Sequence, residues 1–146
     1  MPIKTFRGKI ADGDQDTIVL HTRDGSTGYR IVKFQAMPET PTTVSAECVV
    51  KIFKVPQTGA ATATVDFSDN TLLAVALWTS DSDTHQQSDD LHVIFDNEIF
   101  NQDIYVTHQN TAGGAADCNY YIELEQVKLD LNENTVATLK DIRNLS

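Results

Sequence analysis

The sequence predicts a single, mainly β domain over residues 1–146, folded as an antiparallel, jelly-roll-like β-sandwich of about eight strands with two short helices. Three observations lead to this prediction. Apolar residues recur with a period of two along most of the chain. The strand-like segments are short and are bounded by clusters of Gly, Pro, Asn and Asp. Strands do not alternate with helices, as they would in a parallel α/β sheet.

The first half of the chain contains five predicted strands. The first ends at an Ala-Asp-Gly-Asp turn, and the second precedes Asp24-Gly25, a dipeptide that favours hairpins because it tolerates positive φ. Apolar residues on both faces of the third strand indicate an interior position in a two-layer fold. Pro38 and Pro41 mark a surface loop. The five strands span residues 3–10, 17–22, 29–37, 46–55 and 61–67.

Residues 68–78 depart from the alternation and are predicted to form the first short helix. Ser68 or Asp69 would cap it, and its Leu and Ala residues favour a helix, whereas Val75 and Trp78 suit a strand. The polar, acidic residues that follow, 79–90, have no apolar side chains to bury. They are predicted to form the longest exposed loop and a contact arm for partners.

The remainder of the chain is predicted to form three strands and the second helix. A turn between the first two strands is expected to point Ile99 and Phe100 inward. The third strand alternates most clearly, with Tyr120, Ile122 and Leu124 on the face that it buries and Glu123 and Glu125 on the other. Apolar residues along one side of the terminal segment indicate a helix. These elements span residues 91–96, 103–108, 119–130 and, for the helix, 132–143.

Charge excludes some classes of partner. The net charge is −10, but residues 1–54 hold eight of the eleven basic residues and six acids, so they carry +2 and the rest of the chain −12. An acidic chain without clustered Lys and Arg is not expected to bind nucleic acid. The absence of an apolar signal segment or a run of roughly 20 apolar residues predicts a protein made in the cytoplasm without a membrane partner. The acidic surface serves either solubility or complementarity between neighbouring subunits.

The cysteines and histidines show no pattern of a metal or catalytic site. Cys48 and Cys118 lie in different predicted strands, outside any CxxC pair, and are expected to be buried thiols; a disulfide would need an adjacency that sequence does not show. The histidines have neither HxH nor HExxH spacing, so a structural or surface role is expected for all four. They are His21, His85, His92 and His108.

Acidic and aromatic residues give no stronger signal of chemistry. Asp12-Gly-Asp-Gln-Asp16 resembles the start of a calcium loop, but Thr17 replaces the required Gly, so a tight turn is expected. The acids of the 79–90 loop are candidates for weak binding of a divalent ion: Asp81, Asp83, Asp89 and Asp90. No nucleophile elbow or phosphate loop is present. The sequence therefore predicts no catalytic, cofactor-binding or metal-binding residues, and a protein that is not an enzyme.

Several segments of the chain stand in a distinctive order. One of them is Cys118-Asn-Tyr-Tyr-Ile-Glu-Leu-Glu, and the others are residues 7–13, 28–35, 49–54, 65–74, 94–107 and 138–143. Together they resemble a family of small virion structural proteins from tailed bacteriophages of marine bacteria. The resemblance covers nearly the whole chain. It implies a part of the virion that is assembled in the host cytoplasm without a cofactor.

Two classes of function are consistent with this resemblance. The first is a capsid decoration or cement protein that binds the major capsid protein or other virion proteins as a homo-oligomer, with a neck or tail component as a variant. The second is a glycan-binding module, because exposed aromatics on β-sandwiches stack on sugars. The candidate aromatic residues are Trp78, Tyr105, Tyr120 and Tyr121. Partner contacts are expected at loops 38–43 and 79–90 and at the termini.

Overall fold

Nine β-strands make up the regular structure of the described part of the chain. The computed structural model describes residues 2–23, 25–39, 46–59, 61–81, 86–87, 91–95, 98–111 and 117–130. In chain order the strands are β1 (Ile3–Ile10), β2 (Gln15–Ile18), β3 (Thr27–Pro38), β4 (Ala46–Phe53), β5 (Leu72–Asp81), β6 (Gln86–Gln87), β7 (Leu91–Ile94), β8 (Ile104–Asn110) and β9 (Cys118–Lys128). The prediction of a mainly β protein is confirmed.

The strands form two antiparallel sheets. The smaller has the order β1-β9-β3, and the larger has the order β2-β8-β4-β5, with β6 and β7 both on the outer edge of β5. β6 pairs with Ser80 and Asp81, and β7 pairs with the preceding part of β5, from Ala74 to Leu77. β6 and β7 therefore share one strand position, which gives three positions in the smaller sheet and five in the larger.

The core lies between the two sheets. β9 contributes the alternate residues Cys118, Tyr120, Ile122 and Leu124, whose partners across the core come from β4, β5 and β8. The predicted faces of this strand are confirmed, since Glu123 and Glu125 lie on its other face. Phe100, predicted to point inward, is buried and forms an isolated bridge with Tyr29.

A β-bulge changes the expected character of β3. Its pairing with β9 shifts register between Ile31 and Lys33, which leaves Val32 outside the ladder and exposed. The extra residue reverses the alternation, so Tyr29 and Ile31 before the bulge and Phe34 after it are all buried. The prediction of an interior position was wrong, because β3 is an edge strand of the smaller sheet. The bulge explains why apolar residues occur at both odd and even positions of β3.

The outer face of the larger sheet is covered by the segment 54–71. Lys51, buried on this face of β4, donates from Nζ to the carbonyl oxygen of Thr64 at 2.7 Å. Burial lowers the pKa of Lys51, and the charge of Asp69 partly offsets this effect. Phe67 packs edge-to-face on Phe95, with ring centroids 5.0 Å apart. The larger sheet is thus covered on both faces in this region.

The helix predicted at 68–78 was wrong. Asp66 and Asp69 accept hydrogen bonds from the backbone N–H groups of Ser68 and Thr71, so the apparent helix cap is a pair of Asx turns. Residues 72–76 are all buried because the core covers one face and the segment 54–71 the other. A continuous apolar run is typical of a strand buried on both faces and does not by itself distinguish that strand from a helix.

Three other predicted elements also differ from the structure. Residues 61–67 contain no strand, because they cross the outer face of the larger sheet. The predicted loop 79–90 instead begins within β5 and contains β6, while 82–85 and 88–90 lie outside the described residues. β2 ends at Ile18, four residues before its predicted end. The helix predicted at 132–143 lies outside the described residues.

Two polar contacts close the fold around β2. Tyr120 of the smaller sheet donates from Oη to Asp16 of the larger sheet at 3.0 Å, and its ring lies against Gly8, its cross-strand neighbour. After β2, Asp103 accepts the backbone N–H groups of Leu20 and His21 at 2.9 and 3.0 Å. Side-chain hydrogen bonds therefore hold both ends of this short edge strand.

Replacement of Gly8 should destabilise the fold. A Cβ atom at this position would lie 2.8 Å from Oη and 2.9 Å from Cζ of Tyr120, so the ring must move. We expect Gly8→Ala to lower the free energy of unfolding by about 1–3 kcal/mol in urea denaturation, as overpacking does elsewhere. Thr5→Ala, at an exposed position of the same strand, is the control and should cost less. A Gly8→Ala protein of undiminished stability would contradict this packing.

The Asp103 contacts should make stability depend on pH. Burial raises the pKa of Asp103, but hydrogen bonds from the side chain and backbone of His21 and from Leu20 outweigh it, so the net pKa lies below its usual value. A depressed carboxyl pKa stabilises the fold above the unfolded-state pKa, about 3.9, and this contribution is lost as pH falls through the folded-state pKa.

Asp103→Ala should therefore lower the free energy of unfolding by about 2 kcal/mol at pH 7, the scale for hydrogen bonds to a charged group. The difference from the natural chain should be smaller at pH 3 than at pH 7, because below the unfolded-state pKa this stabilisation is progressively lost as the carboxyl group takes up a proton. Urea denaturation at both pH values measures it, with Asp14→Ala at an exposed site of the β1–β2 turn as the control. An equal loss at both pH values would refute the role of charge.

Candidate metal centre and surface cleft

Two potential ligands for a metal ion lie side by side on the inner face of the larger sheet. In the pairing of β4 with β8, Cys48 is opposite Asn110 and Val50 is opposite His108. Cys48 and His108 are therefore diagonal neighbours on the face that meets the core. Each belongs to a strand that is paired on both edges, which fixes the position of its backbone.

The third potential ligand comes from the opposite sheet. Cys118, the first residue of β9, lies opposite Ile10 of β1 and points into the core. The Sγ atoms of Cys48 and Cys118 and a ring nitrogen of His108 all lie within 4.8 Å of one another. All three side chains are fully buried, at 0% exposure. These residues, the Cys-His-Cys cluster, connect the two sheets through the core.

The two thiols of the cluster interact directly. A side-chain hydrogen bond with Cys48, together with burial, raises the pKa of Cys118. The same hydrogen bond lowers the pKa of Cys48 and outweighs burial and the negative charge of Asp12, which act in the opposite direction. Without a cation, this environment keeps a proton on Cys118. A positive charge placed among the three ligands would reverse this preference.

The turn between β1 and β2 supports the cluster from outside. The backbone N–H of Gly13 donates to the carbonyl oxygen of His108 at 2.9 Å, and the N–H of His108 donates to the carbonyl oxygen of Asp14 at 3.3 Å. Asp12 Oδ1 accepts the N–H of Asn110 at 2.8 Å. The expected tight turn at Asp12–Asp16 is confirmed, and two of its carboxylates, Asp12 and Asp16, accept hydrogen bonds from the protein.

Among the described residues, the other candidates from the sequence lie outside this cluster. His21 is exposed and contacts Asp103 Oδ1 through Nδ1 at 2.7 Å. His92 is exposed on β7. His85, Asp83, Asp89 and Asp90 lie outside the described residues. The buried state predicted for Cys48 and Cys118 is confirmed.

Sequence reasoning missed the Cys-His-Cys cluster. Its members are 60 and 10 residues apart along the chain, with no local spacing rule. Cys48 and His108 fall within predicted strands and Cys118 lies directly before another, but this placement does not indicate that the three residues meet. Thiolate and imidazole ligands suit soft cations such as Zn²⁺ and Cu⁺, and two adjacent thiols can also form a disulfide.

A surface cleft of about 630 Å³ lies at the end of the smaller sheet where β9 begins with Cys118. Three of the four aromatics that the sequence nominated as sugar platforms line it, and the fourth, Tyr105, does not. The aromatic lining is accompanied by polar side chains from all three strands of the smaller sheet. The lining includes Trp78, Tyr120, Tyr121, Arg7, Gln35 and Asn119.

Known proteins provide no assignment for either site. No family model matches the chain, and no curated protein matches it at a significant level. Among the described residues, no helix is long and apolar enough to cross a membrane.

Proposed function

We propose that this chain is a non-enzymatic structural protein of a bacteriophage virion. In this proposal it decorates the capsid by binding the major capsid protein, and it does so as a homo-oligomer. Such a protein needs a stable scaffold, an exposed docking face and strand edges that neighbouring subunits can contact. The resemblance of the sequence to marine phage structural proteins supports the same role.

The outer face of the smaller sheet is the observation that carries this proposal. β1 and β3 place three exposed basic residues there: Arg7, Lys9 and Lys33. Met37, which is 48% exposed, lies on the same face, as does Tyr121, whose ring lies 5.9 Å from Lys33 Nζ. Apolar side chains with a charged rim are typical of protein interfaces. Lys9 is paired with Glu39 at 3.0 Å, so Arg7 and Lys33 supply the positive charge that would favour an acidic partner surface.

A jelly-roll topology is part of the proposal. In a jelly roll, a long antiparallel ribbon wraps so that the first strand pairs with the last and the second with the last but one. β1 pairs with β9, β2 with β8, and β4 with β5, which supports this topology. β7 lies near β3 but pairs with β5, so the fourth pair departs from the pattern. Jelly rolls are common in viral capsid and lectin domains, which is an argument by analogy only.

The copy number in purified particles tests the capsid assignment. Quantitative mass spectrometry should find this chain at a number comparable with that of the major capsid protein. A number near that of a single ring of subunits would instead favour the neck or tail variant. Absence from particles, together with no co-sedimentation with capsids, would refute a structural role in the virion.

Reversal of charge on the docking face should weaken capsid binding. We expect Arg7→Glu/Lys33→Glu to reduce co-sedimentation with capsids by at least about tenfold, because it places like charges against an acidic partner. Lys128→Glu, at the far end of the same sheet, is the matched control and should bind normally. Equal binding by all three proteins would exclude this face.

The surface cleft favours a second candidate function, the binding of a surface glycan. Trp78 and Tyr121 offer ring faces for stacking, and Arg7 and Asn119 offer hydrogen-bond donors. Trp78 Nε1 is buried and has no hydrogen-bond partner among the described residues. A ligand hydroxyl would satisfy this donor.

The aromatic residues provide a matched test of glycan binding. If a glycan array identifies a ligand, Tyr121→Ala should weaken its binding by about tenfold or more in calorimetry, since one stacking face is lost. Tyr105→Ala removes an aromatic residue that does not line the cleft and should leave the affinity unchanged. The absence of any ligand on the array, or equal loss in both variants, would refute a glycan site in the cleft.

A further inference from the structure

We propose that Cys48, His108 and Cys118 bind one thiophilic d¹⁰ cation, Zn²⁺ or Cu⁺, between the two sheets. This site is separate from the docking face and the cleft, and it would act as a structural crosslink. Cysteine sulfur and imidazole nitrogen are the ligands that both ions favour. The proposal does not depend on the virion assignment.

The spacing of the three ligand atoms fits such an ion. With Zn–S near 2.3 Å and Zn–N near 2.0–2.1 Å, ligands of a tetrahedral zinc stand roughly 3.5–3.8 Å apart. A trigonal ion with similar bond lengths needs roughly 4 Å. The atoms of the Cys-His-Cys cluster already lie within 4.8 Å of one another. Side-chain movements of about 1 Å or less therefore bring all three onto one ion.

The presence of His108 favours a metal ion over a simple disulfide. A disulfide would use Cys48 and Cys118 alone and would not account for an imidazole within the same 4.8 Å. His108 is fully buried, and the neighbouring inward positions of β8 hold Val106 and Ile104. The β1–β2 turn also fixes the backbone of His108 on both its N–H and its C=O sides. The site is thus rigid before any ion binds.

Binding is a proton-for-metal exchange without a redox step. The ion displaces one proton from each thiol, both thiolates and the neutral imidazole coordinate it, and two protons pass to solvent. With Zn²⁺ the centre is neutral, which suits a buried site. With Cu⁺ it carries −1, but three ligands complete its coordination, whereas zinc requires a fourth. The described residues place no fourth His, Cys or carboxylate ligand within the cluster.

The location of the cluster predicts its effect on stability. The ion would join β4 and β8 of the larger sheet to β9 of the smaller one, so unfolding would have to break the coordination. An ion that binds the folded chain alone stabilises it in proportion to the logarithm of its concentration over Kd. The melting temperature should therefore rise with added ion.

Metal titration of the full chain tests the proposal. The reduced, metal-free protein is titrated anaerobically with Zn²⁺, with Co²⁺ as a spectroscopic substitute, and separately with Cu⁺ against a chelator of known affinity. We expect one ion per chain, sulfur-to-cobalt charge-transfer absorption, and a higher melting temperature with the preferred ion. X-ray absorption of the loaded natural protein should show two sulfur ligands and one nitrogen ligand, a result that requires no variant.

Substitutions assign the ligands. Cys118→Ser and His108→Gln should each weaken the affinity by more than about 100-fold, since loss of a mere supporting contact already costs 10- to 100-fold. His92→Gln replaces an exposed histidine and should bind like the natural chain.

Three outcomes would overturn the proposal. The first is two free thiols on denaturation with no bound ion in any titration. The second is a mass two hydrogens lower that shows a disulfide, with no ion bound after reduction. The third is binding that is lost in His92→Gln but kept in Cys118→Ser, which would show surface binding only.

Discussion

Strand β9 is the constraint on which the rest of the structure depends. It is paired on both edges, with β1 and β3, and it alone holds the smaller sheet together. Its inner face buries Ile122 and Leu124 against the larger sheet, and burial of such side chains stabilises by about 1.5–3 kcal/mol each. The same face supplies the hydroxyl of Tyr120 to Asp16 and the thiol of Cys118 to the Cys-His-Cys cluster. One strand thus provides the core and the polar links between sheets.

The two faces of β9 have different roles, because one packs in the core and the other forms part of the surface. The inner face is apolar except at its first residues, where the polar contacts to the larger sheet lie. The outer face carries Tyr121, Glu123 and Glu125. Arg30 of β3 binds Glu125 through Nε and Nη2 at 3.0 and 2.8 Å. The proposed docking face uses this outer layer, and the cleft uses it together with Tyr120 of the inner face and Trp78 of the larger sheet. The proposed metal site uses the inner face at Cys118, so the docking and metal proposals involve different side chains.

The sequence predicted the strand that alternates most regularly and failed at β5, where both faces are covered. β9 was found because its buried residues repeat with a period of two. β4 was also found, although its residues from Cys48 to Phe53 are all buried. β5 was taken for a helix because the segment 54–71 covers its outer face, and such coverage removes the alternation. In β3 a one-residue bulge at Val32 moved apolar residues onto both apparent faces. Neither the cover nor the bulge has a local signature in the sequence.

The sequence by itself determined the class of fold, the buried state of the two cysteines and the acidic surplus of the second part of the chain. These follow from residue type and spacing, which act locally. The tertiary structure alone decided that Cys48, His108 and Cys118 meet, and that Trp78, Tyr120 and Tyr121 line one cleft. The reason is that strands from different sheets supply these side chains. Their convergence depends on strand order and register, which long-range pairing sets.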